Sequence, residues 1–157
     1  KYKTIINVQG DEPLLGASLI QDIAAFHEEN DYDVLTCVKK RDGKDEDFHN
    51  PNVVKAIFSE ESKKCLYFTR SSSPFPRSTQ SFNWYQHIGV YSYKVEALEK
   101  FVQCDSSPLE KLESLEQLRV LENGMSIGAM ETNINLIGVD TPQDIHKIEG
   151  VLGGKKE

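Results

Sequence analysis

Apolar positions recur along this chain with two periods, one suited to strands and one to helices. Thr4-Ile5-Ile6 is a short apolar run that reads as a buried strand. Leu19, Ile20, Ile23 and Ala24 then form a stripe at helical spacing, with Ser18 as the expected N-cap and Gln21 placed to complete a capping box. Val34 to Val38 reads as the next strand, and the polar stretch Lys39 to Asn50 as a loop. Val53 to Phe58 and Cys65 to Phe68 flank the polar segment Ser59 to Lys64, which predicts an antiparallel hairpin and therefore a mixed sheet.

The second half repeats the alternation of strand and helix. Ser71 to Asn83 shifts to Ser, Pro, Thr and Gln and reads as a loop of about a dozen residues. His87 to Tyr93 is the next strand, followed by a helix with Val95, Leu98, Phe101 and Val102 on one side. Ser107 with Pro108 and Glu110 is the clearest helix start in the chain. Leu109, Leu112, Leu115 and Leu118 continue it as one helix that Asn123-Gly124 ends. Ser126 to Met130 and Asn133 to Val139 read as strands, and Ile145, Ile148 and Val151 as the stripe of a last helix behind Thr141-Pro142. The sum is one α/β domain over residues 1–157, with helices packed on a mixed sheet.

Composition narrows the function. With 38% hydrophobic and 27% charged residues the chain has ordinary soluble globular character, and no apolar run reaches the roughly 18 residues of a membrane span. A net charge of −7, from 25 acidic and 18 basic residues, disfavours nucleic acid, which requires a basic footprint. Cys37, Cys65 and Cys104 are widely spaced in or beside apolar stretches, the pattern of buried reduced thiols in a cytoplasmic protein.

Candidate chemistry concentrates at strand ends. Asn7-Val8-Gln9-Gly10-Asp11-Glu12-Pro13 delivers an amide and carboxylates where an α/β sheet binds ligands. Asp140 follows a second apolar strand. Asp11 and Asp140 on adjacent strands would suit Mg²⁺, although a turn residue and a helix-start residue have the same spacing. Arg70 and Arg77, two of only four arginines, flank one strand end and loop. They suit a carboxylate or phosphate, or plain surface ion pairs. His87 and Tyr91 fall on one strand face with Gly89 between them, placed for a ligand or for packing. Glu116 and Gln117 lie within the Leu-rich helix, where Glu113 or Glu116 with Arg119 reads as an ordinary surface pair.

Six ordered segments together carry a resemblance. They are the run from Asn7 to Pro13, Asn50-Pro51-Asn52-Val53-Val54-Lys55, Leu66-Tyr67-Phe68-Thr69-Arg70, His87-Ile88-Gly89-Val90-Tyr91, Ser107-Pro108-Leu109-Glu110 with Leu115-Glu116-Gln117-Leu118-Arg119, and Gly138-Val139-Asp140-Thr141-Pro142. Along nearly the whole chain these resemble the 3-deoxy-manno-octulosonate (KDO) cytidylyltransferases. The resemblance implies a three-layer α/β/α sandwich of nucleotide-diphospho-sugar transferase type and a cytoplasmic homodimer. It also implies Mg²⁺-dependent transfer of CMP from CTP to KDO, with release of pyrophosphate, in the service of lipopolysaccharide synthesis.

Residue by residue, the resemblance implies Asp11 and Asp140 as Mg²⁺ ligands, and Gln9, Arg70, Arg77, His87, Tyr91, Glu116 and Gln117 as the KDO pocket. The Gly-rich, basic loop with which the family cradles the CTP phosphates has no counterpart in residues 1–157. The segment is accordingly expected to be about the C-terminal two-thirds of a member and not to turn over CTP by itself. The alternatives are a cytidylyltransferase for another acidic sugar, such as a sialic acid, or a non-catalytic module for sugar-acid binding or dimerisation.

Overall fold

The long strand β5, Asn83–Lys94, organises the molecule, because its two halves have different neighbours on one side and share one on the other. The computed structural model describes residues 2–8, 15–77 and 81–134. Within them the order is β1 (Thr4–Asn7), α1 (Ala17–Glu29), β2 (Val34–Asp42), a 3₁₀ turn (Glu46–His49), β3 (Lys55–Phe58), β4 (Cys65–Thr69), β5, α2 (Val95–Gln103), α3 (Pro108–Glu113), α4 (Gln117–Glu122) and β6 (Ile127–Glu131). The first half of β5 pairs with β3, and its second half with β1, from Thr4 opposite Lys94 to Asn7 opposite Tyr91. β2 runs antiparallel along the other side of β5, β6 lies parallel to β2, and β4 closes the predicted hairpin with β3.

Strand alternation divides the side chains between two cores. Val34 and Val38 of β2 join Tyr85, Tyr91, Tyr93, Ala97, Leu115, Leu118 and Val120 on one face of the sheet. Leu35 and Cys37 join Leu19, Ile23, Ile88 and Val90 on the other. Helix α1 therefore covers one face and α2 to α4 cover the opposite one, giving the expected mixed sheet between helices. Burying a side chain such as Leu19 or Ile23 stabilises by about 1.5–3 kcal/mol. His27, buried at the end of α1, ties that helix to the sheet: Nδ1 lies 2.7 Å from Ser92 Oγ and Nε2 donates to Tyr32 O at 3.0 Å.

Three expectations need correction. The cap of α1 is Gly16, not Ser18, because the Leu19 N–H reaches back to Gly16 O at 3.1 Å and closes the first turn earlier. Strand β2 continues through Lys39 to Asp42, where a loop was expected, since these residues pair with Asn83 to Gln86. Their charges are matched locally. Lys40 meets Glu60 at 2.9 Å, and Arg41 lies against Asp45, Asp47 and the buried Trp84 ring. The Leu-rich helix, finally, is two helices. Ser107 caps α3, and its N–H donates to Glu110 at 3.0 Å as expected, but Ser114 adopts a left-handed conformation (φ 53°, ψ 52°) that ends it. Leu112 is consequently exposed.

The strand expected over 133–139 and the helix expected after Thr141 lie almost wholly outside the described residues. Cys37 and Cys65 are buried as expected, and desolvation pushes both thiols up to about 12. No helix among the described residues is long and apolar enough to cross a membrane.

Candidate functional site

The site begins at an irregularity in β5. Opposite β2, the pairing of Leu35 with Ser92 gives way to that of Cys37 with Ile88, so Gly89, Val90 and Tyr91 crowd against the single residue Thr36. The Thr36 hydroxyl fills the bulge. Its Oγ1 lies 3.0 Å from Ile88 O, 2.9 Å from Val90 O and 3.0 Å from His87 Nε2. A hydroxyl has one proton, which goes to a carbonyl here, so His87 Nε2 must be the N–H donor to Thr36. That tautomer leaves Nδ1 as an acceptor. The ring is edge-on to Phe68 and tilted against Tyr91 at 5.5 Å, and burial pushes its pKa down to about 3. His87 is thus a neutral imidazole with one lone pair to offer.

Tyr91 continues the cluster on the same face. Burial first, then the charge of the nearby Glu116 carboxylate, holds its phenol well above the usual range. Glu116 reaches this position because the helix breaks at Ser114. It is the N-cap of α4, and Gln117 is the first helical residue. Gln117 is only 2% exposed, and its Nε2 has no hydrogen-bond partner among the described residues. A buried amide donor without a partner is uncommon, and it suits a ligand oxygen.

Arg70 lies at the end of β4, beside the same helix break. Its guanidinium donates through Nε to Glu113 O at 2.8 Å, through Nη1 to Pro51 O at 3.0 Å and through Nη2 to Ser114 O at 3.3 Å. Beneath it, the buried Lys55 ammonium donates to Asn50 O at 2.6 Å and to Arg70 O at 3.2 Å. Desolvation lowers the Lys55 pKa. Arg70, His87, Tyr91, Glu116 and Gln117 are thereby brought together through direct contacts or immediate neighbours. Arg77 is exposed on its loop, and no contact among the described residues ties it to them.

Gln9, Asp11 and Asp140 lie outside the described residues. The strands that lead to them do not. β1 leaves the sheet at Asn7, opposite Tyr91, and β6 leaves it at Glu131, opposite Val38, which itself faces His87. A separate cavity lined by Tyr2, Lys3, His27, Lys94 and Glu96 opens at the other end of β1 and β5, away from this rim.

Sequence reasoning missed three residues here. Thr36 gave no signal, since it reads as one more position of a buried strand. Lys55 carried one: a lysine within Val53-Val54-Lys55-Ala56-Ile57 needs partners if buried. Glu113 was expected to pair with Arg119 on the helix surface. Arg119 instead pairs with Glu110 and lies over the Phe101 ring, while Glu113 turns to the end of β4.

Comparison with known proteins places this geometry in context. Residues 1–127 match the family model described as cytidylyltransferase. The 3-deoxy-manno-octulosonate cytidylyltransferase of Fusobacterium nucleatum is 42% identical over 149 residues, covering 94% of this chain and 60% of the relative. The protein of that name from Thermodesulfovibrio yellowstonii is 42% identical over 155 residues, with the same two coverages. The chain therefore spans about 60% of the length of these relatives. A solved structure of CMP:2-keto-3-deoxy-manno-octonic acid synthetase complexed with CTP superposes with a TM-score of 0.89 at 28% identity, over 98% of this chain and 63% of that one. An inositol-1-phosphate CTP transferase from T. maritima, at 15% identity and a TM-score of 0.58, shares the fold. With a family model matched across most of its length, a mixed sheet that superposes on a CTP-bound synthetase and a polar cluster at the sheet's rim, the chain belongs to the cytidylyltransferase family.

Proposed function

We propose that the whole protein is a KDO cytidylyltransferase, which joins CMP from CTP to the anomeric oxygen of KDO and releases pyrophosphate. The observation that carries this reading is the polar cluster itself. A cationic fork, a neutral imidazole acceptor, a phenol beside a carboxylate and a buried amide without a partner among the described residues lie near one rim of the sheet. That set matches an acidic polyol: Arg70 for the carboxylate, and His87 Nδ1, Glu116 and Gln117 for hydroxyls. Arg77 and Gln9 complete the proposed pocket.

The chemistry needs no nucleophilic side chain. The anomeric oxygen attacks the α-phosphorus, the bond to the bridging oxygen of pyrophosphate breaks, and the hydroxyl proton is lost as the new bond forms. The protein's share is positioning and exclusion of competing orientations. Asp11 and Asp140 would hold Mg²⁺, which when bound supplies charge neutralisation at the α-phosphate. The strand register favours that role, since the chain leaves β1 and β6 at the rim where His87 and Tyr91 lie. The proposal includes a cytoplasmic homodimer whose product feeds lipopolysaccharide synthesis.

The test is CTP- and Mg²⁺-dependent pyrophosphate release by the whole protein, offered KDO and N-acetylneuraminate in parallel. Release with KDO alone is expected, and Asp11→Asn should abolish it while leaving the thermal unfolding midpoint within about 2 °C. Preference for N-acetylneuraminate would move the substrate to another acidic sugar. No release from folded protein would leave a sugar-acid-binding or dimerisation module.

A further inference from the structure

We infer that Glu113 is the positioning residue of the acidic-sugar pocket, the group that locks Arg70 and the Glu116-Gln117 pair into one unit. The inference rests on the sugar-acid reading of the site. Glu113 is the last residue of α3, and both of its carboxylate oxygens are spent on the end of β4. Oε1 accepts the Thr69 hydroxyl at 2.7 Å and Oε2 accepts the Arg70 N–H at 2.9 Å. Arg70 answers with its side chain, donating to the carbonyls of Glu113 and Ser114. The side chain of each residue thus holds the backbone of the other.

This reciprocal ring stands where the chain needs it. Ser114 has a left-handed backbone, which for a residue other than glycine costs about 1–3 kcal/mol and persists only when its surroundings over-determine it. In a continuous helix, the carbonyls of Glu113 and Ser114 would accept from the following turn; here Arg70 supplies the donors. The break starts α4 where Leu118 and Val120 pack in one core with Tyr91, Glu116 acts on the Tyr91 phenol, and the Gln117 amide is buried without a partner among the described residues. Arg70 itself spends three of its five N–H donors on Glu113, Pro51 and Ser114. One N–H remains on each terminal nitrogen, the number that a carboxylate takes from an arginine fork.

The acceptor chemistry explains why a carboxylate stands at 113. Thr69 Oγ1 already accepts the Ser71 N–H at 3.1 Å, which directs its proton to Glu113, and the second oxygen faces a backbone N–H. Both neighbours donate, so the residue between them must accept twice. Glu113 touches none of the reacting atoms in this scheme; it acts through Arg70 and through the angle at which α4 begins.

The experiment compares Glu113→Ala, Thr69→Val and Thr69→Ser in the whole protein, each checked for folding by thermal unfolding. KM is measured for CTP, for KDO and for the C1 amide of KDO, in which the carboxylate is neutralised. Glu113→Ala is expected to raise KM for KDO on the order of tenfold to a hundredfold, through misplacement of the pocket, and to leave KM for CTP within about twofold. Its preference for the acid over the amide should shrink. Thr69→Val, which removes one of the two bonds to Glu113, should move KM for KDO in the same direction by less, and Thr69→Ser should restore it. Should Glu113→Ala not fold, the Thr69 pair decides alone. Folded variants with unchanged KM for KDO overturn the inference and leave the function standing; so does a loss that affects CTP and KDO equally and preserves the preference for the acid. An unsubstituted protein that does not act on KDO overturns both.

Discussion

Replacing Gln117 by Met should raise the stability of the ligand-free protein and lower its activity, two effects of opposite sign from one atom. Met keeps the length and the apolar stem of the side chain and removes the amide. The residue is 2% exposed and its Nε2 lacks a partner among the described residues, so in the absence of sugar the folded state bears the desolvation of that donor, about 1–3 kcal/mol. Removing it should raise the thermal midpoint by roughly 2–4 °C for each kcal/mol recovered, in a chain of this size class. If the amide instead meets a sugar hydroxyl, its loss should lower kcat/KM for KDO by about tenfold or more, since one such bond is worth on the order of 1.4 kcal/mol. Thermal unfolding without ligand and pyrophosphate release with KDO titrated measure the two sides. A structural glutamine would lose stability and activity together. Destabilisation of Gln117→Met by more than about 1 kcal/mol would refute the reasoning, because it would mean that the amide has a partner within the protein.

Two further predictions concern the scaffold. His87 has a folded pKa of about 3 against 6.5 when unfolded, so the unfolded chain takes up the proton first. Stability from this source is complete above about pH 6.5 and declines as pH falls toward 3, by up to about 1.4 kcal/mol per pH unit. Urea unfolding between pH 7 and 4.5 should show this slope reduced in His87→Asn, with the contribution of His27, lowered in the same direction, left in both proteins; an unchanged slope would contradict the assignment. At Gly128, the second residue of β6, a Cβ would overlap the Tyr32 ring, and that ring is tethered by its hydroxyl to Ser62 O. Gly128→Ala should therefore cost about 1–3 kcal/mol through overpacking, and a thermal midpoint equal to that of the unsubstituted protein would show that the ring moves aside freely.

The residues differ in how legible they were. The apolar run Val34-Leu35-Thr36-Cys37-Val38 read as a strand, and the period of two placed His87 and Tyr91 on one face, because strand geometry is a local property of the backbone. The cap at Ser107, Pro108 and Glu110 was readable for the same reason: its partners are at most three residues apart. The functional meaning of Arg70, Glu116 and Gln117 came from the resemblance of six ordered segments, since by spacing alone these residues look like ordinary surface positions. The roles assigned to Gln9, Asp11 and Asp140 lie on residues that the structure does not describe.

What remained was decided by contacts between distant parts of the chain. A stripe of Leu109, Leu112, Leu115 and Leu118 specifies one helix, and the chain makes two because Arg70, just after β4, takes the carbonyls of Glu113 and Ser114. Polar residues from Lys39 to Asp42 read as a loop and form a strand, because Asn83 to Gln86 supply the ladder and Glu60, Asp45 and Asp47 match the charges. The bulge that gathers the site is held by Thr36, whose hydroxyl lies between two carbonyls, accepts from the imidazole and donates its one proton to a carbonyl, across more than fifty residues of sequence. By itself the sequence determined periods, caps and turns, which depend on neighbours a few residues away. Where the helix breaks and where β5 bulges depended on which donors and acceptors the folded chain brings within about 3 Å, and only the tertiary structure decides that.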